Sequence, residues 1–150
     1  MSRRLVPLLL APLLAAAVTA CGGEDDPFAA YCGEVEAQQK PLSEALAGGG
    51  PTALIQALPS FEALEAKAPA DITDEWRVVT RGIEGLVETL DEAGVDPASF
   101  DRENPPAGVT KEQQDAIDAA SRRLTAPESV AALEGVQQQA RDVCKTPLSL

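Results

Sequence analysis

The sequence predicts an all-α protein: a disulfide-closed helical bundle of about five helices with a long crossover loop. Three observations lead there. Apolar residues recur at helical spacing along most of the chain, and no segment shows the two-residue alternation of a half-buried strand. Proline, glycine and capping residues fall between the periodic segments, where helices start and stop. Two of the three cysteines, Cys32 and Cys144, stand near the two ends of the periodic region.

The first helix is expected from about Pro27 to Ala47, with Phe28, Cys32, Val35, Leu42 and Leu46 on its apolar face and Pro41 as a possible bend. Gly48-Gly49-Gly50 ends it. A second helix, Pro51 to about Lys67, turns Leu54, Leu58, Phe61 and Leu64 inward; Pro59 removes one backbone bond and is expected to kink it near Ile55.

The third helix, residues 71–93, carries the clearest signal. Ile72, Trp76, Val79, Ile83, Leu86 and Leu90 recur every three or four residues, which is one continuous face. Asp71 is positioned to cap it and Gly94 to stop it. Thr110 and Gln113 have the spacing of a capping box and open a fourth helix with Gln113, Ile117, Ala120 and Leu124 on one side. Pro127 opens the fifth, whose face is read as Val130, Leu133, Val136, Ala140 and Cys144. The glutamines Gln38-Gln39 and Gln137 to Gln139 read as neutral helix surface.

An even pair of cysteines in an exported chain is usually bridged, so Cys32 and Cys144 are expected to form a disulfide. Five helices alternating in direction would place these residues at opposite ends of the bundle, whereas a disulfide tolerates only about 7 Å between α-carbons. The fifteen residues Gly94 to Gly108 suggest a solution, since extended they reach about 50 Å. They are therefore expected to cross back along the third helix and set helices three and four parallel. Phe100 lies in the middle of this loop and is the candidate partner contact, with a core-filling role as its alternative.

The N-terminus has the form of an export signal: Arg3 and Arg4, an apolar run from Leu5 to Val18, then small residues. The run covers about 14 residues, against the roughly 20 of a membrane-spanning helix. Its end, Val18-Thr19-Ala20-Cys21, resembles the bacterial lipobox, an aliphatic and two small residues before a cysteine. The resemblance implies cleavage before Cys21 and a diacylglyceryl thioether on its sulfur. Thiolate nucleophilicity explains the choice of residue, and two or three acyl chains exceed the threshold for lasting membrane attachment. Over its full length the alanine-rich chain resembles small actinobacterial lipoproteins with one helical domain. The expected organisation is a signal peptide at 1–20, a short tether at 21–26, the bundle at 27–146 and a tail at 147–150.

Charge narrows the function further. The sequence has 12 basic and 24 acidic residues and no histidine. Cleavage removes two arginines and no acid, leaving ten basic residues against twenty-four acidic ones, a net charge of −14. Nucleic acid and anionic headgroups are repelled by such a surface. The commonest general base and transition-metal ligand is missing, as are G-x-S-x-G, H-E-x-x-H, C-x-x-C and phosphate-loop patterns. The acids Asp91, Glu92, Asp96, Asp101 and Glu103 lack the spacing of a calcium loop and read as solvated charge. No cofactor is expected. The reading that remains is a lipid-anchored, non-enzymatic interaction module acting on a membrane-proximal partner. Its alternatives are a structural envelope lipoprotein and, last, a carboxylate-dependent hydrolase.

Overall fold

The computed structural model describes residues 26–101 and 104–148; the signal segment, Cys21, the tether up to Asp25, and Glu103 lie outside the described residues. Five helices follow one another: α1 (Ala29–Leu46), α2 (Gly50–Glu65), α3 (Thr73–Glu92), α4 (Lys111–Leu124) and α5 (Pro127–Val143), with a short 3-10 turn at Pro97–Ser99. Among the described residues there is no strand. Both α1 and α2 continue through their internal prolines, Pro41 and Pro59.

Side-chain contacts set the directions. Trp76 Nε1, at the start of α3, donates to the Tyr31 hydroxyl at the start of α1, 3.1 Å away, so these two helices run parallel. The Thr80 hydroxyl donates to Glu65 at the end of α2, and Thr52 at its start donates to the Phe100 carbonyl beyond the end of α3, at 2.6 Å. Thus α2 runs against both α1 and α3.

The fourth and fifth helices depart from expectation. Leu86 and Leu90, late in α3, share a core cluster with Ile117 and Ala120 of α4, and a β-carbon built on Gly82 would stand 3.2 Å from Leu124 at the end of α4. Farther down, a β-carbon on Gly135 of α5 would lie 3.5 Å from Glu75 and 3.9 Å from Ile72, at the start of α3. Numbers rise along α4 and α5 as they fall along α3. Both helices are therefore antiparallel to α3 and follow one another down it. The bundle has four arms, and the fourth is broken in two.

The expected crossover is thus corrected: Gly94 to Gly108 turns the chain at the end of α3 and does not return along it. Its start is a Schellman stop, with Val95 N–H bonded to Leu90 O at 2.9 Å, Gly94 N–H to Asp91 O at 3.0 Å, and Gly94 at φ 69°. The break between α4 and α5 is equally local. Pro127 takes the first helical position of α5, and the Ser129 hydroxyl donates back to Arg123 O at 2.7 Å. Two residues, Thr125 and Ala126, therefore suffice to end one helix and begin the next in the same direction. Four arms alternating in direction bring the end of α5 to the start of α1 without any crossover. Cys32 and Cys144 meet there, with α-carbons 5.0 Å apart and the disulfide closed.

The core lies on the faces read from the sequence, with exceptions. Trp76, Val79, Ile83, Leu86 and Leu90 of α3 are buried, as is Ile72 just before it. Phe61 and Trp76 pack with ring centroids 6.1 Å apart. Tyr31, absent from the expected face of α1, is 1% exposed, whereas Val130, placed on the inner face of α5, is 44% exposed; Ala132 takes its position inside. Asp71 does not cap α3, whose N-cap is Ile72, because Pro69 to Ile72 form a turn first; Ile72 N–H and the Thr73 hydroxyl both bond Pro69 O. The capping box of α4 forms as read, Thr110 and Gln113 bonding each other's backbone N–H at 3.2 and 2.9 Å.

Two surface expectations also change. Gln139 holds buried amide atoms without a hydrogen-bond partner, and Gln39 donates to Pro147 O at 2.8 Å. That bond, with Lys145 at φ 57°, folds the chain end back so that Leu148 is 4% exposed in the main core. Packing therefore extends two residues into the segment drawn as a tail.

Candidate functional site

Phe100 belongs to the interior. It is 5% exposed and packs with Leu86, Leu90, Val95, Ile117 and Ala120. Asp96 holds the approach to it by accepting from Ala98 N–H at 2.9 Å, and Thr52 fixes its carbonyl. The ring is thus a core element that pins the loop, and its role as a partner contact is withdrawn. The nearby acids do not converge: among the described residues no group of three potential ligands could hold a metal ion. No described helix is long and apolar enough to cross a membrane.

The broken fourth arm creates a different feature. While α5 reaches α1 at the disulfide, α4 leans on α3, and an open groove of about 360 Å³ separates it from the α1–α2 turn. Leu46, Pro51, Ala53 and Leu54 form one side; Ser121 and Leu124 form the other. No charged side chain lines it. The volume lies within the roughly 300–1,000 Å³ of small-molecule sites. Small residues leave this space: Gly49 and Gly50 take φ of 65° and 73°, with no atom within 4 Å of a built β-carbon. Leu54 and Leu124 also line a small cavity of about 30 Å³ with Val79, Ile83 and Leu133.

Two polar features border this apolar space. The first turn of α2 has no side-chain cap, and a helix start leaves its first N–H groups without intrahelical partners. Ser121, 5% exposed, has a buried Oγ with no hydrogen-bond partner. On the other side of Pro51 and Ala53 lies a second, more polar cleft of about 550 Å³, lined by Thr52, Gln56, Phe100 and Asp101.

None of the groove residues was singled out from the sequence as a site residue. They are glycine, alanine, proline, serine, threonine and leucine, types without motif value here, and only the splitting of the fourth arm assembles them. Of the expected site residues, Cys32 and Cys144 are joined, Phe100 is in the core, and Cys21 lies outside the described residues. No family model, curated protein or solved structure matches the chain.

Proposed function

We propose that the chain is a lipid-anchored extracytoplasmic binding module, non-enzymatic, which engages a membrane-proximal partner through the groove between the α1–α2 turn and α4. The groove is the observation that carries this reading. An uncharged concavity on a surface of net charge −14 is a local exception that favours binding over a purely structural envelope role. The lipobox Val18-Thr19-Ala20-Cys21 supports the anchor.

Reach supports the choice of partner. Five residues, Gly22 to Asp26, separate the anchor from the first helical segment and extend at most about 18 Å. The groove stands at the far end of α1, whose 18 residues add about 27 Å. The binding surface is then held within about 45 Å of the bilayer, the zone occupied by membrane proteins and other anchored chains.

The test is photo-crosslinking in the organism's own cells from Thr125, on the groove rim, and from Glu36, exposed on α1. The reading expects a discrete membrane-associated adduct from Thr125 and none from Glu36. Identical adduct patterns from both positions, or none from either, would favour the structural envelope role.

A further inference from the structure

We infer that the cleft between α3 and the α4–α5 break holds the phosphate group of a small soluble phosphomonoester, bound by Arg77, Arg81 and Arg123. The inference is independent of the groove, with which this cleft of about 350 Å³ shares no lining residue.

The fold gathers the three arginines from distant parts of the sequence. Arg77 and Arg81 stand one turn apart on α3, and Arg123 lies in the last turn of α4, where its carbonyl accepts from the Ser129 hydroxyl across the two-residue link. Like charges four residues apart disfavour a helix, and here a third cation joins them at the same cleft. Acidic residues outnumber basic ones two to one, yet among the described residues neither Arg81 nor Arg123 makes an ion pair. Arg77 does, with Asp74 at 2.8 Å, but that pair is exposed and holds it weakly. Glu128 is the one acid in the lining. Three arginines against one glutamate leave the lining with a net charge of +2.

A phosphomonoester matches this arrangement in charge and in shape. It carries nearly two negative charges at neutral pH and three terminal oxygens, one for each guanidinium. A carboxylate has one charge and two oxygens, which a single arginine fork already occupies. Val78 and Ala126 complete the lining and leave an apolar wall for the carbon side of the ester. The adjoining surface limits size. Val78 and Glu128 also line a neighbouring cleft with Asp74 and Glu75, so any second anionic group reaching past the arginines meets three acids. That selects a compact monoester over a nucleic-acid strand or an anionic bilayer.

The test uses the full chain with Cys21→Ser, so that no acyl chain is attached, and with the disulfide closed. Glycerol 3-phosphate, glycerate and glycerol are titrated separately at low salt and followed by calorimetry. Glycerol 3-phosphate is expected to saturate one site and to bind about tenfold tighter than glycerate, with no binding of glycerol. Arg81→Gln and Arg123→Gln, both changes at exposed positions, should each weaken it about tenfold. Arg141→Gln removes the same charge from an exposed position outside the cleft and should change affinity less than twofold. Equal affinity for phosphate and carboxylate probes, or an equal loss in Arg141→Gln, would overturn the inference by reducing the effect to overall charge. Absence of saturable binding would overturn it outright. Cosedimentation with phosphatidate vesicles, without binding of glycerol 3-phosphate, would move the source to the bilayer and overturn the soluble assignment.

Discussion

Leu124, the last residue of α4, lies so close to Gly82 in the middle of α3 that a β-carbon on Gly82 would stand 3.2 Å from its Cδ2. This contact fixes the register of the broken arm, because it pins the end of α4 halfway along α3 and leaves the lower half of α3 to α5. It also gives a stability prediction when set beside Gly85, one turn on, where a β-carbon would meet nothing within 4 Å. Gly85→Ala should stabilise the fold by about 0.5–1 kcal/mol through helix propensity alone. Gly82→Ala should gain less than half of that, since Leu124 must shift. Urea denaturation of the two variants decides it; equal gains would contradict the register.

Phe100 fills the core above α3, and Phe100→Ala should therefore destabilise by about 3–4 kcal/mol. A cost below about 1 kcal/mol, the range of ordinary surface changes, would return the ring to the surface.

Tyr31 couples the first and third arms. Burial pushes its phenol above the ordinary value of 10.0; the Trp76 N–H bond opposes this and the Asp71 charge adds to it. A raised pKa means that the folded protein holds its proton more tightly than the unfolded chain. The corresponding stability is complete below about pH 10 and is lost as pH rises through the folded pKa. Denaturation midpoints for the wild type should fall from about pH 8 to pH 11 more steeply than for Tyr31→Phe. At neutral pH that variant should cost about 1–2 kcal/mol, because Trp76 Nε1 loses its buried acceptor. Parallel pH profiles would show that Tyr31 does not contribute.

The bridge between Cys32 and Cys144 closes a sequence separation of 112 residues. In the chain-entropy account a loop of that size contributes roughly 4–5 kcal/mol. Urea unfolding with and without reductant should differ by about that amount. A difference below about 1 kcal/mol would mean that the two ends are held by packing, with Leu148 and Gln39 as the residues responsible.

Helices with strong periodicity were legible in the sequence. The inner face of α3 was read residue by residue because six large apolar side chains repeat without interruption, and the capping box of α4 because it needs only two side chains three apart. The direction of α4 and α5 was not legible. A two-residue link with a proline is compatible with a reversal or a continuation, and the choice is made by which helix faces find α3. Tyr31 was missed because Phe28 and Cys32 already described a face one position away. Val130 was misplaced because the buried face of α5 opens at Ala132, while Val136 and Ala140 lie inside as read. The groove left no trace in the sequence at all, since it consists of what small residues fail to fill, and Ser121 is notable only for lacking a partner.

The proposed function depends above all on attachment at Cys21, and the most direct measurement is fractionation of cells expressing the wild type or Cys21→Ser. The wild-type chain should sit in the membrane fraction and carry a metabolically incorporated acyl label. The variant should lack the label and appear as soluble exported protein or as uncleaved precursor. Unchanged processing, labelling and fractionation in Cys21→Ser would contradict the account.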